Sequence, residues 1–387
     1  MPKVSDKRHF LMKAHTYEPD DEDFDPTGFF MSEKLDGHRC FWDGGISQGF
    51  RAKDIPFANT AKDKKDHWAT GLWSSGGKVV HAPKSWLAGL PNGQTLDGEL
   101  YLGRGQLEAL AHIVRSEDAT EDEWDTVKLH VFDQPGLQEF LQDGRIHDGD
   151  WETTFKDLRT QLKEIFGDTE LPGTLETQMS KSFRDVLVDL EKLHKQQMRG
   201  KCSWLLHKQE VVKDKKQVER ELERVAKFGG EGLVLRGPDS RWIPIRSHDN
   251  LKYKKFYDSE AEVIGYTFGK KTDKGGKLMG MLGTLTLKTL GDTKIEKGLV
   301  FEMGGGLAWT GDVNLRELEW VPGSKPPLGI SGGVNAYAFN APGEVAPEFV
   351  QAKHFPRGTV ITFKWWDLTK KTGCPKFAQY WRKREDI

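Results

Sequence analysis

The feature that most limits how this chain can fold is a change of texture at Tyr257. Ahead of it, amphipathic segments of helical length alternate with short apolar runs. Beyond it the text breaks into short alternating runs, such as the one carrying Leu285 and Leu287, separated by glycine-rich turns. A chain of 387 residues is longer than one hydrophobic core usually serves, so the change marks a domain boundary near Lys255 to Asp258. Residues 1–257 are expected to form an α+β domain and 258–387 a small β-barrel.

Within the first domain, Phe29-Phe30-Met31 and Cys40-Phe41-Trp42 read as two short strands joined by a bend. Gln106 to Arg115 sets Leu107, Leu110, Ala111 and Val114 on one helical face. Val218 to Phe228 is a second helix, rich in glutamate and arginine, and Gly229-Gly230 ends it in the manner of a C-cap. Leu233-Val234-Leu235 reads as a buried strand. The stretch from Phe50 to Gly77, charged throughout Lys62 to Asp66, reads as an exposed excursion. From Gln138 to Lys201 charged helical patterns alternate with glycine and proline breaks, and Gly323 to Gly343 reads as an insertion in the second domain.

Composition excludes several classes. Cys40, Cys202 and Cys374 lie far apart with no metal-ligand spacing, which fits reduced thiols better than a disulfide framework. No run approaches the roughly 20 apolar residues of a membrane span, and the amino terminus lacks the apolar core of a secretory signal. A cytoplasmic protein with no membrane partner is expected. The net charge of -2 argues against indiscriminate coating of nucleic acid, yet the basic residues cluster locally, from Lys252 to Lys288 and from Lys364 to Arg384.

Chemistry concentrates at Glu33-Lys34-Leu35-Asp36-Gly37-His38-Arg39. An amine, a carboxylate, a flexible backbone step and a fixed cation fall within one strand-to-turn segment, the equipment for a lysine that attacks a phosphate. Four more strings follow in order: Leu96-Asp97-Gly98-Glu99-Leu100-Tyr101, Val131-Phe132-Asp133, Glu231-Gly232-Leu233-Val234-Leu235-Arg236 and Leu251-Lys252-Tyr253-Lys254. Any one of them alone is ordinarily a strand-end turn or a piece of core. The five in this order resemble the motifs of the covalent nucleotidyltransferases, the superfamily of ATP-dependent polynucleotide ligases and mRNA capping enzymes.

The resemblance implies an ATP-grasp-like adenylation domain of antiparallel sheets with helices, followed by an OB-fold barrel. It assigns Lys34 as the nucleophile, Glu99 to a ribose hydroxyl, and Phe132 as a platform for the purine. Asp36 and Glu231 would hold Mg²⁺ or Mn²⁺. Arg39, Lys252 and Lys254 would contact the phosphates of ATP, with Glu33 beside the nucleophile in the nucleotide pocket. A free lysine with a pKa near 10.4 is protonated at neutral pH and cannot attack, so the site must favour the neutral amine. Lys252, Lys254 and a bound metal would oppose a positive charge at Lys34.

The second domain narrows the reading. Asp258 to Tyr266, Gly269-Lys270-Lys271, Met281 to Leu285 and the ending Pro375 to Arg384 resemble the OB domain of compact bacteriophage and bacterial ATP-dependent DNA ligases. Arg382 and Arg384 are the candidates for leaving-group or DNA contacts. The implied enzyme is a monomer that seals nicks in duplex DNA, in replication, repair or recombination. RNA ligases share the nucleotidyl motifs, capping enzymes use GTP, and a DNA-end-binding module with a decayed site is the reading outside enzymes.

The chain departs from the pattern in places. A Ser-Arg-x-Gly string is missing, with Arg51 or Arg104 as substitutes, and Gly306-Leu307-Ala308-Trp309 stands where these ligases have Gly-Leu-Ser-Asp. The segments 50–71, 138–201 and 329–353 are longer than a minimal ligase requires; the basic residues between Lys181 and Lys216 permit a clamp on DNA, though a charged solvated helix is the commoner explanation of such a stretch. Trp365-Trp366 is expected to pack rather than to stack on a ligand.

Overall fold

A computed structural model of the chain describes residues 9–136, 181–269, 278–322 and 350–384, apart from 56, 61–62, 199, 279, 305–306, 308–312 and 370. It divides into two compact units, Met1–Lys255 and Phe256–Ile387. Most of the 138–201 and 329–353 segments, Lys270-Lys271, Gly306, Ala308 and Trp309 lie outside the described residues. Among the described residues no helix is long and apolar enough to cross a membrane.

Among its described residues the first unit carries ten strands: β1 (Lys13–Thr16), β2 (Phe30–Lys34), β3 (His38–Trp42), β4 (Leu72–Ser74), β5 (Leu96–Tyr101), β6 (Lys128–Asp133), β7 (Trp204–Leu206), β8 (Glu210–Val211), β9 (Gly232–Arg236) and β10 (Arg246–Lys254). They form two five-stranded sheets, ordered β1-β10-β9-β2-β8 and β4-β3-β5-β6-β7. The expectation of antiparallel sheets needs correction at two edges, because β1 pairs with β10 in parallel and β6 with β7 in parallel. Neither pair is joined by a hairpin. Partners so far apart in sequence can run in either direction, and parallel pairing needs a long crossover of this kind.

Among the described residues, five helices accompany the strands: α1 (Lys84–Leu87), α2 (Leu107–Arg115), α3 (Glu121–Asp125), α4 (Phe183–Gln197) and α5 (Lys215–Lys227). In α5 the apolar residues Val218, Leu222 and Val225 recur at helical spacing and are buried against β9. Asp214 caps its start by accepting from the Gln217 amide at 2.6 Å, and Gly229 follows its end at φ 76°. In α4, Val186 and Leu190 join a core with Trp86, Trp124 and Trp204.

The segment from Phe50 to Gly77 is not the exposed excursion that its polarity suggests. Ala52, Ile55, Phe57, Ala69 and Trp73 are buried in a second cluster with Leu11, Met12, Phe41 and Trp242. Their irregular spacing follows no helix or strand period, so the apolar face is invisible to pattern reading. Asp43 organises this region from inside, accepting from Ser47 Oγ at 2.5 Å and from Trp73 Nε1 at 2.8 Å.

The second unit is all β apart from a short 3₁₀ turn among its described residues. It comprises β11 (Tyr257–Phe268), β12 (Leu282–Thr289), β13 (Val300–Met303), β14 (Leu318–Trp320), β15 (Val350–Ala352), β16 (Val360–Trp365), β17 (Asp367–Leu368), β18 (Pro375–Lys376) and β19 (Gln379–Lys383). The main sheet runs β13-β12-β11-β16-β19, antiparallel throughout. Among the described residues it does not close on itself: β13 and β19 remain its edges, so the expected barrel is present as a sheet rather than a closed cylinder. Trp365 is buried and donates to Ser259 Oγ at 2.8 Å, while Trp366 stacks on Phe377 at 5.5 Å between ring centroids.

Candidate active site

Register brings the charged residues together. Lys34, the last residue of β2, lies opposite Gly232 of β9, and Lys254, the last residue of β10, lies opposite Gly232 from the other side. Three strands therefore deliver two lysines and the residue before Gly232 to one place. A β-carbon at position 232 would sit 2.2 Å from the Tyr253 carbonyl oxygen, so only glycine permits this approach. Lys34 Nζ donates to Glu231 Oε2 at 2.5 Å, and Lys254 Nζ pairs with Oε1 of the same carboxylate. Gly37, in the turn after Lys34, meets a similar limit: its β-carbon would fall 2.2 Å from the Leu100 carbonyl oxygen of β5.

Lys34 opens onto a cavity of about 280 Å³, which Glu99, Phe132, Arg39 and Lys252 also line. Burial raises the Glu99 carboxyl to about 8, with Glu231 and Asp97 adding to the rise and Lys34 and Arg39 opposing it. At neutral pH this carboxyl is largely protonated and can both donate and accept at a sugar hydroxyl. Burial lowers the Lys252 ammonium, helped by Lys254, Arg246 and Lys34. Lys254 is lowered by the same cause, against the pull of Glu231. The pocket thus crowds positive charge around Lys34 while supplying one shared carboxylate.

Beneath this group lies a different arrangement. Arg39 donates from Nε and Nη2 to the two oxygens of Asp97 at 2.9 and 2.6 Å, and from Nη1 to the Met12 carbonyl at 2.5 Å. Trp242 Nε1 also donates to Asp97, at 2.9 Å. The Arg39 guanidinium sits 5.2 Å from the centroid of the Phe132 ring, backing one face of the proposed purine platform. Arg39 therefore lines the cavity yet is anchored through three of its nitrogens, and this geometry fits support of the platform better than the phosphate contact expected from sequence.

The remaining sequence candidates divide. Glu33 is held by a two-pronged pair with Arg104, at 2.8 and 2.7 Å, and its carbonyl is 2.8 Å from His207 Nε2. Asp36 follows Lys34 in the turn and acts electrostatically on Lys254 and Tyr101, but is not part of the cavity wall. Oxygen ligands suit Mg²⁺, and Glu231, whose two oxygens both face lysine amines, fits such an ion, with Asp36 nearby as the second carboxylate. Arg382 and Arg384 belong to the second unit. Arg382 is exposed on β19 opposite Thr362, whereas Arg384 pairs with Glu260.

Comparison with known proteins adds to this geometry. No family model matches the sequence. A DNA ligase of Haemophilus influenzae is 25% identical over 379 residues, covering 97% of this chain and 92% of that protein. A structure from a structure-function study of Lig E DNA ligases superposes with a TM-score of 0.60 at 24% identity, covering 97% of this chain and 98% of that one. This chain has a DNA-ligase fold. A structure named Pmar-Lig_PreS3 agrees with a TM-score of 0.54 at 16% identity, over 97% of this chain and 68% of that chain.

Within this ligase fold, the two substitutes for the missing arginine separate cleanly. Arg51 lies over the Trp68 ring, 3.8 Å from its centroid, and near Asp66, whereas Arg104 is joined to the strand that carries Lys34. Arg236, Arg246 and His207 also line the cavity, and none was legible as a site residue. Arg236 ends the Glu231 string and could have been suspected from position alone. His207 and Arg246 sit in unremarkable text, and only tertiary pairing reveals them.

Proposed function

We propose that this chain is an ATP-dependent DNA ligase that seals nicks between a 5′-phosphate and a 3′-hydroxyl through a lysyl-AMP intermediate. The observation that carries the reading is the convergence of Lys34, Glu231 and Lys254, with Lys34 lining a cavity that Glu99 and Phe132 also line. The full-length similarity to a DNA ligase supports it.

Three displacements at phosphorus follow. Lys34 Nζ attacks the α-phosphorus of ATP, a P–N bond forms, the bond to the β-phosphate breaks, and pyrophosphate leaves. An oxygen of the 5′-phosphate at the nick then attacks the same phosphorus, releasing Lys34 and forming a DNA-adenylate. The 3′-hydroxyl finally attacks the 5′-phosphorus, loses its proton and expels AMP. The lysine must be neutral for the first step. Lys34 and Lys254 share the Glu231 carboxylate, so a ligand that engages Glu231 releases the Lys34 amine from its ion pair. Mg²⁺, or Mn²⁺, held by Glu231 and Asp36 would supply charge neutralisation at the α-phosphate. Glu99 and Phe132 orient the nucleoside, and Lys252 and Lys254 face the phosphates.

Residues 1–257 serve as the adenylation domain and 258–387 as an OB-fold domain in this reading. Arg382, exposed beside Trp381 and Lys383, contacts duplex DNA, while Arg384 has a structural role through Glu260. The enzyme acts as a cytoplasmic monomer on nicked double-stranded DNA. Incubation with α-labelled ATP and Mg²⁺ tests it: label should stay covalently on the protein and move to a nicked DNA duplex. Label from GTP instead, or transfer only to nicked RNA, would replace it with a capping or RNA-ligating activity.

A further inference from the structure

Away from the adenylation cavity, His67, His81 and Glu117 each bring one ligand atom into a group in which all lie within 4.8 Å of one another. We propose that they form a binding site for one Zn²⁺ ion, independent of the reaction at Lys34. Three segments, around residues 67, 81 and 117, converge here, the first two tied by backbone contacts. The His67 carbonyl accepts from the Ala52 amide at 2.8 Å, and its neighbour Trp68 bridges to Arg51. His81 stands between buried Val80 and Ala82, and Val80 is tied to the Leu72 carbonyl at 2.9 Å. Glu117 follows Ser116, the C-cap of α2.

The chemistry selects the metal. Two imidazoles and one carboxylate are a donor set for late first-row divalent ions, whereas Mg²⁺ and Ca²⁺ prefer oxygen alone. Ligand atoms about 2.0–2.2 Å from a tetrahedral Zn²⁺ lie roughly 3.4 Å apart, so modest side-chain rotation closes the set and leaves a fourth position for water. The imidazole rings already approach to 4.6 Å between centroids at an interplanar angle of 61°. Lys65 Nζ donates to the Glu117 oxygens at 3.3 and 3.2 Å and occupies the carboxylate when the metal is absent. The ion would clip the segments on either side of β4 to the residue that follows the C-cap of α2.

Calorimetric titration of the chelator-stripped full chain with Zn²⁺ tests the site. One equivalent should bind, and the same equivalent should be lost in the double variant His67→Gln/His81→Gln, with affinity falling at least about tenfold. Should the double variant fail to fold, His67→Gln alone carries the same expectation. Lys65→Ala removes the competitor and should tighten Zn²⁺ binding. Tetrahedral absorption from Co²⁺ in the wild type, absent from the histidine variants, gives a second readout. Equal Zn²⁺ stoichiometry and affinity in wild type and histidine variants would overturn the proposal, as would the lack of any bound equivalent at about 100 µM Zn²⁺, a weak limit for a three-ligand site. An unchanged affinity in Glu117→Gln would take Glu117, and the three-ligand site with it, out of consideration.

Discussion

Two charged clusters border one cavity, the upper through Lys34 and the lower through Arg39, Arg236 and Asp133, and are built on opposite rules. In the upper, Lys34, Glu231 and Lys254 meet through flexible amines, with the Lys34 side chain 27% exposed. In the lower, Arg39, Asp97, Arg236 and Asp133 are joined by planar guanidinium groups, and the Asp97 side chain is 0% exposed. Lysine is a point charge on a mobile stem that changes partner readily, whereas arginine holds a fixed fork and does not lose its proton. The first cluster is suited to exchanging a carboxylate for phosphate and metal. The second is suited to holding Arg39 still against the Phe132 ring.

The comparison breaks most sharply at Lys34. Lys34→Ala should abolish the covalent AMP adduct while leaving the melting temperature nearly unchanged, because a partly exposed lysine contributes little to stability. Retention of label on the variant would move the nucleophile elsewhere. Next comes Glu231→Gln, which frees both lysines from their shared partner and removes the proposed metal ligand. Single-turnover adenylation should fall by about 100-fold, and a rate equal to wild type would show that Glu231 serves only to pair lysines.

Asp97→Asn tests the lower cluster and should show the reverse pattern. Removing one partner of a buried pair leaves Arg39 uncompensated at a cost of about 3 kcal/mol, lowering the melting temperature by roughly 10 °C. Residual protein should still form the lysyl adduct. If Asp97→Asn kept its stability but lost adenylation, the division between a chemical and a scaffolding cluster would fail.

The two clusters also differ in how far the sequence announced them. Lys34 at a strand end and Glu231 just beyond the glycine cap of α5 stand in short strings whose local structure can be read directly. Their meeting follows from strand register, which places both lysines opposite Gly232. Arg39 was legible as a cation but not as a committed one. Its partner Asp97 is shared with Trp242, 145 residues later in the chain, and no local pattern encodes such a contact. The buried face of residues 50–77 was hidden for a related reason: its apolar residues point inward from irregular backbone, without the periodicity that marks a strand or helix.

The smallest expected effect concerns Asp133, at the base of the lower cluster. Burial raises its carboxyl from 3.8 to about 6, even though Arg236 and Arg39 pull it down. Between those two values the folded protein therefore holds a proton that the unfolded chain has released. Wyman linkage gives the sign: this group's contribution is fully present below about 3.8 and is lost as pH rises through about 6. Asp133→Asn cannot titrate, so its stability should lack that downward slope. Urea unfolding at pH 4.5 and pH 6.5 should show the variant less stable than wild type, with the gap narrowing toward the higher pH. A gap that widens would mean that attraction to Arg236 outweighs burial at this carboxyl, and that the lower cluster gains stability by ionising.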